Sequence, residues 1–320
     1  MHQQIPLASR KISVPSGTFL FMGVRYTNRA ITTEQQIDIL KERGLLIDDV
    51  ERAVKALDII SYFRLAGYWR HFEADHTTHQ FREGCRFADI IDLYSFDKQL
   101  RALLFTAIQT IEVAVRTKII KHFALEFGAF CFMDENFATN EARFATNLAV
   151  IRKEVERSHD DFITEHFRKY NEPELPPVWK TLEVISMGTL SKLYSNFSNA
   201  TAKHAVAREF GLNHHKFFRS WLECLAVLRN CCAHHSRLSN RVFPVKPKMP
   251  KRMPNTWIAD FSFREQTLYP QLCCVVYWLN SIVLENTFIT DFKQLLISHP
   301  SVKTRLLGFP RNWEQEPLWR

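Results

Sequence analysis

Glycine is scarce in this chain: only 9 of the 320 residues are glycine, against a norm of about 7%. No two glycines lie closer than six positions apart. A Walker loop requires the pattern GxxxxGK, and a dinucleotide-binding loop requires GxGxxG. Both kinds of phosphate-binding loop are therefore excluded. The scarcity of glycine also disfavours a turn-rich β architecture and favours helices joined by short connections.

The sequence also lacks C-x-x-C pairs and long apolar runs. Its seven cysteines are an odd number, so neither a disulfide framework nor a zinc ribbon is indicated, and free thiols fit a reducing cytosol. The longest N-terminal apolar run, Phe19–Val24, is too short for a signal peptide or a membrane span. We therefore expect a soluble, cytoplasmic protein with no part embedded in a membrane.

Basic residues outnumber acidic ones. Lys and Arg total 42 and Asp and Glu total 34, which gives a formal net charge of +8 at pH 7. Such an excess favours polyanionic partners, either nucleic acid or an anionic membrane surface, without proving either.

Helical periodicity predicts an all-α fold, with one helical domain over 31–290 between an irregular arm (1–30) and a C-terminal extension (291–320). In the run Thr32-Thr33-Glu34-Gln35-Gln36, a threonine N-cap with glutamine three positions later matches a capping box at the first helix start. A second helix is predicted to begin after Asp48 or Asp49, and residues 73–86 are predicted to be a polar connection. Two further helices are predicted to have breaks near Gly188 and Gly211. The other predicted helices run over 88–127, 141–170, 214–235 and 269–288.

The helix predicted over 214–235 carries the most informative polar pattern. At about 100° per residue its apolar side chains share one stripe, formed by Trp221, Leu225, Leu228 and Cys232. The opposite face carries Glu223, Asn230 and His234, with Arg219 beside them. Arg229 projects between the two faces, about 140° from His234.

Three interpretations of this polar face compete. Arg229, His234 and His235 can simply complement the negative end of the helix dipole. A metal site is disfavoured because the adjacent histidines point apart and no carboxylate follows at the right spacing. The third is RNA cleavage, in which a histidine moves protons of the ribose and the leaving oxygen while an arginine stabilises charge on the phosphate.

The run Arg229-Asn-Cys-Cys-Ala-His234 has the R-N-x-x-x-H form of the R-x4–6-H motif of HEPN ribonucleases. The wider run Leu228–Arg241 resembles the signature of the Abi family, the AbiD/AbiF-like abortive-infection proteins. Further blocks resemble that family in the same order, so that the resemblance covers roughly 33–245; they lie at 35–49, 60–70, 111–117 and 175–192.

The resemblance implies a HEPN-like helical bundle with an N-terminal helical extension, acting in phage defence by cleaving RNA without a metal or other cofactor. It implies that Arg229 and His234 are the catalytic pair and that Asn230 orients or contacts the phosphate. HEPN enzymes pair two such motifs, so one motif per chain implies a homodimer. A small structured RNA that binds and restrains the protein is implied as well. A non-catalytic RNA-binding or scaffolding protein of the same family is the alternative.

A basic segment follows the motif. Residues 237–259 hold six basic residues and no acidic one, and three of their prolines repeat at the spacing of a polyproline II turn. A stiff basic strand suits an RNA backbone, whereas a solvated loop of ordinary charge is the alternative. The RNA-binding candidates are His235, Arg237, Arg241, Lys246, Lys248, Lys251 and Arg252.

Three other groups of residues can have a structural role instead of a functional one. The aromatic and arginine-rich segment 61–70 can stack on bases, or its rings can belong to the core. His71, His76 and His79 are not spaced to converge on one zinc ion from a helix. Glu112 and Arg116 are expected to form a structural ion pair.

Overall fold

The computed structural model describes residues 26–27 and 29–320. The arm predicted over 1–30 falls almost entirely outside them. The described chain contains twelve α-helices, several short 3-10 turns and one two-stranded sheet, so the predicted all-α class is confirmed. It divides into two compact units, up to Tyr94 and from Ser95 onward.

The first unit begins with three short helices, α1 (Thr33–Glu42), α2 (Val50–Ile60) and α3 (Tyr62–Trp69). The capping box is present: the Thr32 hydroxyl accepts from the Gln35 backbone N–H, and the Gln35 side chain accepts from that of Thr32. The Asp49 carboxylate caps α2 by accepting from the Arg52 backbone N–H. In the aromatic segment Tyr68 and Trp69 are buried, whereas Phe63 is 84% exposed.

The stretch predicted as a polar connection contains a small hairpin, β1 (Glu73–Asp75) paired antiparallel with β2 (Gln80–Phe81). The buried Glu73 carboxylate lies 2.9 Å from Nδ1 of His76 and 3.2 Å from Nδ1 of His79. Both histidines therefore serve to satisfy a buried charge within the hairpin.

The long helix predicted over 88–127 is α4 (Phe87–Phe127). Helical spacing predicts an apolar stripe of nine residues on this helix, of which Leu103 is only half-buried. The other eight are buried: Leu93, Phe96, Leu100, Leu104, Ile108, Ile111, Val115 and Ile119. Glu112 and Arg116 form the predicted ion pair, and Arg116 also donates to the carbonyl of Leu182.

The second unit continues with eight helices: α5 (Glu141–Glu156), α6 (Asp161–Lys169), α7 (Val178–Val184), α8 (Met187–Asn196), α9 (Ala200–Glu209), α10 (His215–Ala233), α11 (Leu268–Ile282) and α12 (Phe288–Ser298).

One predicted helix is wrong. The single helix expected over 141–170 is two helices, because the Ser158 hydroxyl bonds to Asp160 between them instead of continuing the backbone pattern. The break predicted near Gly188 lies at 185–186, between α7 and α8, and the Ser186 side chain caps α8. The chain does break at Gly211, whose φ is +68°.

Helix α10 is the central element of this unit, since it packs against α8, α9 and α11. Its Trp221 ring stacks 5.4 Å from that of Trp257 and contacts Tyr277 and Trp278 of α11. The residues after α12 add a second aromatic cluster, in which Phe309 and Trp319 pack on Tyr269. None of the described helices has both the length and the apolar character that crossing a bilayer requires.

An ion-pair cluster joins α9 to α4. The Glu209 carboxylate lies 2.8 Å from both Lys118 Nζ and Lys121 Nζ and 3.0 Å from His122 Nε2. These hydrogen bonds, first those from Lys118 and Lys121, lower the pKa of Glu209 to about 2. The carboxylate therefore stabilises the folded chain above its ordinary pKa, and that stabilisation is lost as pH falls toward 2.

We predict that Glu209→Gln lowers the free energy of unfolding at pH 7 by about 1–2 kcal/mol, since the cluster is partly exposed. The difference from wild type should shrink as pH falls below about 4.5, the range in which an ordinary glutamate takes up its proton. Denaturation at a series of pH values measures this difference. The control is Glu126→Gln, at an exposed position of α4. A Glu209→Gln deficit of the same size at pH 3 and pH 7 would contradict the assignment.

Candidate functional site

The candidate site is built on α10. The helix begins after His214, whose side chain accepts from the Lys216 backbone N–H, and its C-cap is His234. All four residues of the predicted apolar stripe are buried. The opposite face is exposed as predicted, with Glu223, Asn230 and His234 open to solvent. One helix thus joins a core surface to a polar surface.

The Arg229 side chain is directed toward α4 and is 37% exposed. Its Nε lies 3.9 Å from Oε2 of Glu112, and its guanidinium lies 6.0 Å from the centre of the Phe105 ring. Glu112 is therefore shared between Arg116 and Arg229. The aromatic ring and the carboxylate together orient the guanidinium without burying it.

Arg229 and His234 do not extend in the same direction. Five residues along a helix correspond to a rotation of about 140°. Arg229 faces α4, Asn230 lines a groove on the other side of α10, and His234 is exposed at the helix end. Within one chain, Arg229 therefore points away from the face that carries Asn230 and His234.

The cysteines inside the motif are not nucleophiles. Burial raises the pKa of Cys232 to about 12 and also raises the pKa of Cys231. Both side chains are buried against the core, so the thiols stay protonated near neutral pH.

A buried ion pair fixes the chain that follows the motif. Asp97 Oδ2 accepts from Arg101 Nη1 at 2.6 Å, and their side chains are 0% and 6% exposed. The Asp97 carboxylate also accepts the backbone N–H groups of Leu238 and Ser239 at 3.0 and 2.9 Å. Arg101 donates to the Ser236 carbonyl at 3.3 Å. The loop after His234 is therefore anchored to α4.

Asp97 and Arg101 were not predicted as site residues. One signal in the sequence could have found them: they occupy positions in register with the buried Leu104 and Ile108. Charged residues on an apolar stripe need partners inside the protein. The i, i+4 spacing indicates that the two can pair with each other. The backbone groups that Asp97 also binds cannot be read from the stripe, because they lie about 140 positions away in sequence.

Two cavities flank the exposed face of α10. One of about 850 Å³ lies among α5, α8 and α10. Its charged and polar lining includes Arg143, Lys192, Arg219, Glu223 and Asn230. The other, of about 910 Å³, is shared by Arg219 and Glu223 with Lys246, Lys248, Lys251 and Phe261. Arg219 and Glu223 line both cavities, so the two adjoin along the helix.

The basic segment is attached to α10 through its backbone. Lys248 accepts a hydrogen bond from Trp221 Nε1 at 2.8 Å through its carbonyl and donates one to the Ser220 hydroxyl at 2.9 Å through its N–H. Lys246, Lys248 and Lys251 border the second cavity, and Lys246 pairs with Glu265.

The other predicted RNA-binding residues do not line the second cavity. Arg241 lines a third cavity, which Lys246 also borders. It donates to the Arg237 carbonyl and lies over the Phe243 ring. Arg252 is exposed. His235 follows the C-cap with a φ of +54°. Of the seven predicted residues, the three lysines thus border the second cavity, whereas the three arginines and His235 do not.

Comparison with known proteins gives one match. A family model described as Abi-like protein matches residues 55–240, which is more than half of the chain and includes the motif of α10. No curated protein and no solved structure matches the chain.

We predict that Asp97→Asn lowers the free energy of unfolding by about 3–5 kcal/mol, because Arg101 is left as an uncompensated buried charge. Urea denaturation measures the loss, and amide hydrogen exchange at Leu238 and Ser239 should accelerate. Glu165→Gln is the matched control: it removes the acid of an exposed pair with the same spacing, Glu165–Lys169, and should cost less than about 0.5 kcal/mol. Equal losses in the two variants would show that the buried pair does not anchor the loop.

Proposed function

The chain belongs to the family of Abi-like proteins, and we propose that it acts in abortive infection, a form of defence against phages, as a metal-independent endoribonuclease of the HEPN type. Within the family we assign it to the AbiD/AbiF-like group. The observation that carries the nuclease proposal is the exposed Asn230 and His234 at the end of α10, next to an Arg229 that Glu112 orients.

The proposed reaction uses the ribose 2′-hydroxyl as the nucleophile. O2′ attacks the phosphorus and loses its proton to a base, the bond from phosphorus to O5′ breaks, and O5′ takes up a proton from an acid. The products are a 2′,3′-cyclic phosphate and a 5′-hydroxyl. Imidazole can perform both proton transfers near neutral pH. Arg229 stabilises the charge that develops on the phosphate, and Asn230 orients it.

A second copy of the chain completes the proposed site. Arg229 and His234 leave the same helix in different directions, so one chain does not direct both groups at one phosphate. In a homodimer, Arg229 of one copy can meet His234 of the other, and that imidazole can take up the O2′ proton and deliver a proton to O5′. The exposed end of α10 leaves these side chains accessible to such a partner.

The two adjoining cavities provide a path for RNA. The first approaches the motif at Asn230, and both contain Arg219. Positive charge beside the two cavities comes from Arg143, Lys192 and the three lysines of the basic segment. The cavities extend along α10 from Arg219 to Asn230, a length of about 16 Å at 1.5 Å per residue. The same surface can hold a small structured RNA that restrains the enzyme. If the motif only binds RNA, the protein is instead a non-catalytic scaffold.

We predict that the purified protein cleaves RNA in the presence of EDTA and that Arg229→Ala and His234→Ala each reduce the rate by about 100-fold or more. Gel analysis of labelled RNA measures the rate and identifies the cyclic phosphate. Arg208→Ala and His159→Ala, at exposed positions outside the site, are the matched controls. Cleavage at the wild-type rate by both motif variants would refute the catalytic assignment. RNA binding without any cleavage would favour the scaffold.

The dimer has its own test. Co-expression of Arg229→Ala and His234→Ala chains with different affinity tags gives a mixed dimer. In that dimer one intact Arg229 faces one intact His234 across the interface, so activity should partly return. A mixed dimer as inactive as either variant would rule out a site shared in this way.

We predict that Lys248→Glu combined with Lys251→Glu weakens RNA binding and lowers the slope of log affinity against log salt concentration by about 0.7 for each lost phosphate contact. Filter binding at several salt concentrations measures both quantities. The control double variant, Lys153→Glu with Lys303→Glu, changes the net charge equally at exposed positions away from the two cavities. If the two double variants bind alike, the basic segment is not an RNA-binding surface.

A further inference from the structure

Three histidines cluster at the opposite end of α10 from the motif. His204 lies on α9, His214 is the N-cap of α10, and His215 is its first residue. The ring of His204 lies 4.6 Å from that of His214 and 4.7 Å from that of His215. One ring nitrogen from each residue falls within 4.8 Å of the others.

The short connection between α9 and α10 produces this arrangement. Gly211 has a φ of +68°, so the chain reverses directly after α9, and the Leu212 N–H donates to the Ala207 carbonyl at 3.0 Å. Tyr277 donates to the Gly211 carbonyl at 2.6 Å and fixes the turn to α11. The histidines are therefore held together by backbone and core contacts.

The cluster contains a polar atom without a partner. Nδ1 of His215 is shielded from solvent and makes no hydrogen bond. Buried polar atoms in native proteins nearly always have a partner, so an isolated one requires an explanation. A metal ion accepts the lone pair of an imidazole nitrogen and would supply that partner.

The chemistry of the cluster selects the ion. Its ligands are imidazoles with no carboxylate among them, and the positively charged Lys203 and Lys216 are their sequence neighbours. Hard cations such as Mg²⁺ and Ca²⁺ prefer oxygen ligands, whereas imidazole suits Zn²⁺ and related transition metals. Tetrahedral Zn²⁺ sets its nitrogen ligands about 3.4 Å apart, so small side-chain rotations bring the three histidines into place.

We propose that His204, His214 and His215 bind a transition-metal ion of the Zn²⁺ class that ties α9 to the start of α10. Nδ1 of His214 accepts the Lys216 N–H at 3.0 Å, so metal binding by this ring competes with the helix cap. Three protein ligands leave the fourth position to water. Because α10 is about 28 Å long, an ion here stabilises the motif helix and takes no part in cleavage at its other end.

The test uses the full-length protein without a histidine tag, freed of metal with EDTA and then of EDTA. Titration with Co²⁺ should give the visible absorption of tetrahedral cobalt, and Zn²⁺ should abolish it. His204→Ala and His215→Ala should each weaken binding by at least about tenfold. His214→Asn should also weaken it while keeping an N-cap acceptor, which preserves the helix start. The control is His159→Ala, at an exposed position outside the cluster.

Thermal denaturation separates lost ligands from lost folding. Zn²⁺ should raise the melting temperature of wild type and of His159→Ala but not that of the three cluster variants, whose metal-free melting curves should stay close to wild type. The proposal is overturned if cobalt gives no tetrahedral spectrum, or if the cluster variants bind it as tightly as wild type. Neither result bears on RNA cleavage, which is measured in EDTA.

Discussion

The ion pair between Asp97 and Arg101 is the constraint on which the candidate site depends. A charge with no solvent around it is tolerated only when its partners are in place, and the Asp97 carboxylate takes two of its partners from the loop after α10. The conformation of that loop is therefore coupled to the core of α4. The same loop leads from His234 to the basic segment. The positions of His234 and of the basic segment therefore both depend on the contacts of this loop with Asp97. If the loop moves away, the buried Asp97 carboxylate loses the N–H groups of Leu238 and Ser239, so conformations with a displaced loop are high in free energy.

Helix α10 combines three tasks that are separated along its length and around its axis. Its first residues contribute two of the three clustered histidines, its apolar stripe forms the centre of the second unit, and its exposed face connects the two cavities. Trp221 links the apolar stripe to the surface beside the cavities, because its ring packs in the core while its N–H donates to the Lys248 carbonyl of the basic segment. Core packing and the placement of surface charge thus depend on one side chain.

Local patterns in the sequence predicted the helices and the two faces of α10 well, because periodicity and capping act over a few residues. The Thr32–Gln35 capping box and the apolar stripe of α4 are examples. Features that depend on distant contacts were not predictable in this way. The partners of Asp97 and the meeting of His204 with His215 require the packing of helices, which no local pattern reports. The break between α5 and α6 was missed because a polar side chain there competes with the backbone.

The environment of Arg229 has a consequence for how a phosphate would be received. At 3.9 Å the Glu112 carboxylate is a loose counter-ion, while its tight partner is Arg116. An incoming phosphodiester in the proposed reaction would displace that loose counter-ion, and the carboxylate would keep Arg116 as its partner. Such an exchange would replace one anion by another beside the same guanidinium. In the absence of a bound phosphate, Glu112 is the carboxylate that faces Arg229.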